Sequence, residues 1–192
     1  MNYLAHLLLS GEDKEVMIGN YLGDSIKGSH YNDFSEGIKK GILLHRFIDD
    51  FTDHHPSVHE AKSFFVKEFD KYSGVLIDVF FDHFLAKNFH LFSKISLEKF
   101  SEDVRDILHD MQDSLTDNAT LFLEYMTKNK IPEGYKDLEK IEMVLQGMTM
   151  RIHHRFDLTK AMRILNEFYE ELEKIFLDFF PVLQARVKDY RF

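Results

Sequence analysis

Apolar residues recur three and four apart along nearly the whole chain, the spacing of one helix face, and only Pro56, Pro132 and Pro181 interrupt it. The pattern predicts an all-α fold. A first helix over Asn2 to Leu9 ends at Gly11, and a second from about Lys14 stops near Gly28. The stretch DFSE, Asp33 to Glu36, resembles a capping box, so a third helix runs through Gly41 to about Thr52. Pro56 with Ser57 and Glu60 opens a fourth that reaches roughly Tyr72, where Ser73 and Gly74 break it. A fifth spans Leu76 to Phe89, and others cover Leu97 to Leu115, Asp117 to Lys128 and Tyr135 to Met150. Finally, Leu158, Met162, Leu165, Phe168, Leu172, Ile175 and Phe179 form one stripe with glutamates opposite. Its acidic polar face suits core packing better than a membrane surface or a partner helix. The expectation is a single-domain helical bundle over residues 1–192 with eight to nine helices.

The fifth segment, LIDVFFDHFLAKNF, raises the first chemical question, because Ile77, Val79, Phe80, Phe81, Phe84 and Leu85 leave almost no polar face for Asp78, Asp82 and His83. The two carboxylates, four residues apart, project in nearly one direction, and His83 lies about 100° further round. An ionised carboxylate in apolar surroundings costs several kcal/mol unless a cation or donors offset it, and two neighbours repel each other. A divalent metal answers both problems. In LLHRFIDDFTD, His45 and Asp49 stand one turn apart, a spacing that suits either one ion or a plain surface ion pair. Asn20 and Asp24, also one turn apart, make a weaker signal, with Asn20 expected to be exposed and Gly23 allowing close approach. His6, inside YLAHLLL, reads as a satisfied core histidine rather than a ligand. His54, His55 and His59 read as loop and cap, and His153 and His154, flanked by Arg151 and Arg155, as a helix junction.

Composition narrows the chemistry. Cysteine is absent, which removes disulfides and thiolate metal sites and leaves His and carboxylates as the strong ligands. A formal charge of -9 argues against nucleic-acid binding, although Lys27, Lys39, Lys40 and Arg46 form a local basic group. The N-terminal segment has neither a basic n-region nor a long apolar run, so a cytoplasmic protein with no membrane association is expected. There is no Gly-rich phosphate loop, nucleophile elbow or HExxH, which disfavours a serine or cysteine nucleophile and suits water activation by a divalent metal.

Four blocks in order, NYLAHLLL, GNYLGDSIKG, GILLHRFIDDFTDHHP and IDVFFDHFLAKNF, together with the later VLQGM, resemble the acyl carrier protein phosphodiesterases. That is a helical family related to the His-Asp metal-dependent phosphohydrolases, although the family often has Trp where this chain has Phe81. The resemblance implies a His-Asp phosphohydrolase-like fold. It also implies hydrolysis of the phosphodiester joining phosphopantetheine to a serine of holo acyl carrier protein, with manganese or magnesium required. On that reading Asp24, His45, Asp49, Asp78 and Asp82 are the candidate metal ligands. Arg46 and Lys27 stabilise phosphoryl charge, Asp24 also serves the chemistry, and His83 protonates the departing serine oxygen or completes the metal shell. Because acyl carrier proteins are acidic too, docking requires the Lys27, Lys39, Lys40 and Arg46 group to form a basic rim.

Two other readings compete: a His-Asp type phosphohydrolase acting on a nucleotide or another small phosphoester, and a non-catalytic helical protein whose carboxylates only pair with Arg and Lys. The sequence carries no signal for an oligomeric state.

Overall fold

A computed structural model describes residues 3–152 and 156–190 of the chain, so His153, His154 and Arg155 lie outside the described residues. Among the described residues the fold is all-α, in ten helical segments: α1 Tyr3–Leu9, α2 Lys14–Leu22, α3 Glu36–His54, α4 Pro56–Phe69, α5 Ser73–Lys87, α6 Leu97–Asp110, α7 Asp117–Asn129, α8 Leu138–Arg151, α9 Ala161–Glu167 and α10 Tyr169–Asp189. None is long and apolar enough to cross a membrane.

Most helices lie where the periodicity puts them; the differences concern their ends. The second helix stops at Leu22 rather than near Gly28, and Gly28 instead takes a positive φ of 57° in the connection beyond it. Ser73 and Gly74 begin α5 instead of closing α4, because the break falls earlier, at Asp70 with φ 48°. The sixth helix ends at Asp110, short of Leu115, and α8 begins at Leu138, after Tyr135 has been taken into a 3-10 turn. The last stripe is divided at Phe168 and then runs past Pro181 to Asp189. Caps shift by two residues: Ser35 caps α3, and the His55 ring accepts from Ser57 N–H to cap α4.

α5 is the buried axle. Ile77, Phe80, Phe81, Phe84 and Leu85 are fully enclosed, with Phe81 edge-on to Phe176 at 5.4 Å. The α10 stripe faces it through Leu172, Phe176 and Phe179, as core packing requires. Truncating one such ring to Ala costs about 3–5 kcal/mol. On the other side, α2 and α3 approach backbone to backbone: a Cβ on Gly19 would run into the Ile38 carbonyl, and one on Gly41 into the Val16 carbonyl. This close approach brings the side chains beside the seam, Asn20 and His45, within bonding distance.

Candidate active site

Three helices converge on Asn20, which is buried, contrary to the exposed position expected for it. Its amide nitrogen donates to the His6 carbonyl at 2.8 Å and to Ser10 Oγ at 2.9 Å. That leaves Oδ1 as an acceptor. His6 Nδ1 lies 2.9 Å from it and His45 Nδ1 3.2 Å, while His45 Nδ1 is also 2.8 Å from the Asn20 carbonyl. Acceptors on that side make both Nδ1 atoms N–H donors, so in the neutral rings both Nε2 atoms carry the lone pair. The rings stack at 4.0 Å, tilted by 16°. Gly23 makes room for this, since a Cβ there would overlap the His45 ring.

Both Nε2 atoms point at acidic side chains. His6 Nε2 is 3.1 Å from Asp49 Oδ1, and His45 Nε2 is 3.1 Å from Asp49 Oδ2 and 3.4 Å from Asp24 Oδ1. His6, His45 and Asp49 together offer ligand atoms close enough to hold one metal ion. Burial falls off toward solvent: the His6 and His45 side chains are 4% and 7% exposed, Asp49 38% and Asp24 70%. The centre therefore has a dry floor and an open mouth on the Asp24 side.

The electrostatics follow from this packing. Burial opposes a charge on His45 most strongly, but the Asp24 and Asp49 carboxylates facing it more than offset that and raise its pKa to about 9. His6 is held below its ordinary value, chiefly by burial and against the pull of Asp49. His45 draws the Asp24 carboxyl down; for Asp49 burial works the other way, and the hydrogen bonds from His45 and His6 prevail, holding it well below the usual carboxylate range.

Of the residues named from sequence, the structure brings Asp24, His45 and Asp49 together, adds His6, and leaves out Asp78, Asp82 and His83. Asp82 is fully buried, and its carboxylate closes the start of α1, accepting from Leu4 N–H at 2.7 Å and Ala5 N–H at 3.3 Å. Burial pushes its pKa up to about 7 despite those bonds. Both oxygens are engaged with backbone, so the compensation sought on this helix comes from amides rather than a metal. Asp78 is half-buried, one turn earlier on the same helix. The His83 ring is likewise held: Nδ1–H donates to the Tyr135 carbonyl at 2.8 Å and Nε2 accepts from the Tyr169 hydroxyl at 2.7 Å. With its pKa lowered chiefly by burial, it is a neutral structural link between α5, the turn at Tyr135 and α10, rather than an acid beside the serine oxygen.

Arg46 also departs from its expected role, since its Nη2 donates to the Ile26 and Gly28 carbonyls at 3.1 and 2.8 Å. It props the connection that carries Asp24 and Lys27, and its guanidinium lies 4.9 Å from the centre of the Tyr31 ring. Lys39 approaches the same ring at 6.0 Å, so two members of the expected basic group flank Tyr31 while Lys27 stays exposed in the propped connection. A wide cleft of about 1080 Å³ between α6 and the α7–α8 connection shares no residue with this centre.

His6 is the residue that sequence reasoning missed. A short helix whose Leu4, Ala5 and Leu7 are all buried leaves its histidine no way out to water, so it needs polar partners inside. That signal is identical for a core histidine and a ligand; the partners, Asn20 and Asp49, are supplied by other helices.

These features define a class: among the described residues, an all-α protein with a half-open centre of imidazoles and carboxylates. The chain belongs to the acyl carrier protein phosphodiesterase family, whose sequence model it matches over residues 1–183. It is 32% identical to a protein of that name from Yersinia enterocolitica over 192 residues, with 98% of each chain covered. It is 31% identical to one from an Enterobacter species, again over 98% of each, and 30% identical to one from Escherichia coli, over 97% of each. No solved structure matches the chain.

Proposed function

We propose that this protein hydrolyses the phosphodiester joining phosphopantetheine to the serine of holo acyl carrier protein, using a divalent cation held by His6, His45 and Asp49. The carrying observation is the convergence at the floor of the centre. His6 Nε2 and His45 Nε2 are each 3.1 Å from an Asp49 oxygen, and the three residues offer ligand atoms close enough to share one ion. Asn20 holds both rings from behind through Nδ1, which leaves the Nε2 atoms turned toward the carboxylates and the opening. A divalent cation can take the place of the protons that otherwise bridge these groups. Two imidazoles with carboxylate oxygens accept manganese more readily than magnesium, which prefers oxygen donors. Asn20 then acts as the hydrogen-bonded support that fixes both rings.

A cation bound there supplies the Lewis acidity that makes water a competent nucleophile near neutral pH. Asp24, on the open side, accepts a hydrogen bond from the attacking water and aims it at phosphorus. Lys27 faces the phosphoryl oxygens, and Arg46 keeps the connection bearing both residues in place. Water adds to phosphorus, the bond to the serine oxygen breaks, and that oxygen leaves with a proton as the restored hydroxyl. Lys39 and Arg46 around Tyr31 give the mouth a local positive rim for an acidic carrier protein, against the formal charge of -9 on the whole chain.

Mass spectrometry of holo acyl carrier protein incubated with the protein and manganese tests the reading. Loss of the phosphopantetheine mass with wild type, and its retention with Asp24→Ala, is expected. A carrier protein left intact by wild type, or turnover of a nucleotide panel in its place, overturns it.

A further inference from the structure

Beside the centre runs a cleft of about 440 Å³, one wall of which comes from α1, α2 and the connection after α2, the segments that carry His6, Asn20 and Asp24. On α1, Tyr3 precedes His6 by one turn; on α2 and just beyond it, Tyr21 and Ser25 each follow a site residue directly. The opposite wall is α7. Phe122 stacks on Tyr3 at 4.3 Å, with Tyr125 continuing the row 6.1 Å away. The Tyr21 hydroxyl donates to the Ala119 carbonyl at 2.8 Å, which fastens the two walls together.

Charges of both signs reach the cleft. The Tyr3 hydroxyl is pushed up to about 12, by burial first and by the Asp24 charge second, while Arg151 acts on it in the opposite direction. Tyr3 therefore lies near both the Asp24 mouth and the Arg151 cation, which lines the same cleft. Arg151, exposed at the end of α8, forms no ion pair with any described residue. A narrower extension of about 60 Å³ continues past Tyr125 and Val144. Leu121 and Tyr125, 64% and 43% exposed, leave an apolar rim uncovered. Such a surface suits a ligand with an anionic end and a slender, mostly uncharged organic chain.

Resting on the hydrolysis proposed above, we infer that this cleft holds the organic arm of the substrate: the Tyr3, Phe122 and Tyr125 rings lie along its methyl and amide-bearing segments, and Arg151 meets its phosphate end. The carrier protein then sits over the Asp24 mouth, and the arm runs away from it along α7. The aromatic wall thereby makes the protein select an arm-bearing phosphoester over bare phosphate.

Calorimetric titration of the manganese-loaded protein with 4'-phosphopantetheine, inorganic phosphate and adenosine monophosphate tests this. Wild type should bind phosphopantetheine about tenfold or more tighter than phosphate, and Phe122→Ala should reduce that ratio several-fold. Arg151→Gln, at an exposed position that carries no fold, should weaken phosphopantetheine binding by roughly fivefold to tenfold. The inference is overturned if wild type does not distinguish phosphopantetheine from phosphate, or prefers the nucleotide. It is overturned equally if Arg151→Gln and Phe122→Leu both bind as wild type does, which covers the case of a Phe122→Ala variant that does not fold. Intact holo acyl carrier protein after incubation with wild type refutes the hydrolysis reading alone, and the titration ratios then still decide the cleft.

Discussion

α5 and the α1–α3 centre both bury acids and imidazoles, yet they finish them in opposite ways. On α5 every polar atom of Asp82 and His83 has a partner inside the chain: two backbone amides for the acid, a carbonyl and a hydroxyl for the ring. In the centre the rear nitrogens of His6 and His45 are tied to Asn20, while their front nitrogens face the ionisable Asp49 carboxylate on the side that opens to solvent. Burial of ionisable groups is therefore not what marks a site. The mark is imidazole nitrogens and carboxylate oxygens from several helices facing one another at an opening to solvent.

The largest effect expected from that contrast is on turnover. His45→Ala removes a front nitrogen and its hold on Asp24 and Asp49, and kcat/KM toward holo acyl carrier protein should fall at least about a thousandfold, roughly 4 kcal/mol of transition-state stabilisation. Helicity by circular dichroism should stay near that of wild type. Asp82→Ala should do the reverse. It strands the Leu4 and Ala5 amides in a dry interior, costing on the order of 2–4 kcal/mol in urea unfolding, while activity per folded molecule stays within about tenfold of wild type. If Asp82→Ala abolished turnover at undiminished stability, the two regions would not differ as described.

This contrast explains how far the sequence could be read. The apolar face of α5, the α10 stripe and the helix identities come through because burial of large side chains imposes its own period. His45 and Asp49 are legible by their spacing on one helix. Asp82 is misread because its partners are the first amides of α1, and amides carry no letter of their own. Asn20 and His6 are undervalued because each is a plain polar residue on an apolar face until α1, α2 and α3 are packed against one another. Helix ends slip for the same reason. The positive φ of Asp70 and the early stop of α2 at Leu22 answer to tertiary packing, whereas Ser, Gly and Pro signals are only local.

A smaller, graded effect should come from behind the centre. Asn20→Ala leaves all the front ligand atoms in place and keeps the backbone carbonyl 2.8 Å from His45 Nδ1, but it removes the Oδ1 that orders the His6 ring, so manganese affinity should drop about tenfold. Competition with a fluorescent chelator measures it directly. Unchanged affinity would mean that the stack of His6 on His45 orders the rings without Asn20.

The smallest effect is in the pH dependence of the metal-free protein, and its sign separates the two regions once more. His45 has a folded pKa raised from 6.5 to about 9, so its contribution to stability is complete below about pH 6.5 and is lost as pH rises through 9. Asp82, raised from 3.8 to about 7, also loses its contribution with rising pH, but that loss is finished near 7. His6, with its pKa lowered, gains stability as pH rises and stops doing so above its ordinary 6.5, while the lowered acids Asp24 and Asp49 change only toward acid. Among the described residues, the slope between pH 7 and 9 belongs to His45. The melting temperature of metal-free protein should decline by a few degrees across that window, and His45→Gln should flatten it. Saturating manganese should remove the decline, because a ligand nitrogen must already be free of its proton. A flat metal-free profile from 7 to 9 would show that His45 holds no extra proton between Asp24 and Asp49, and the centre would then be neutral at its floor before any cation enters.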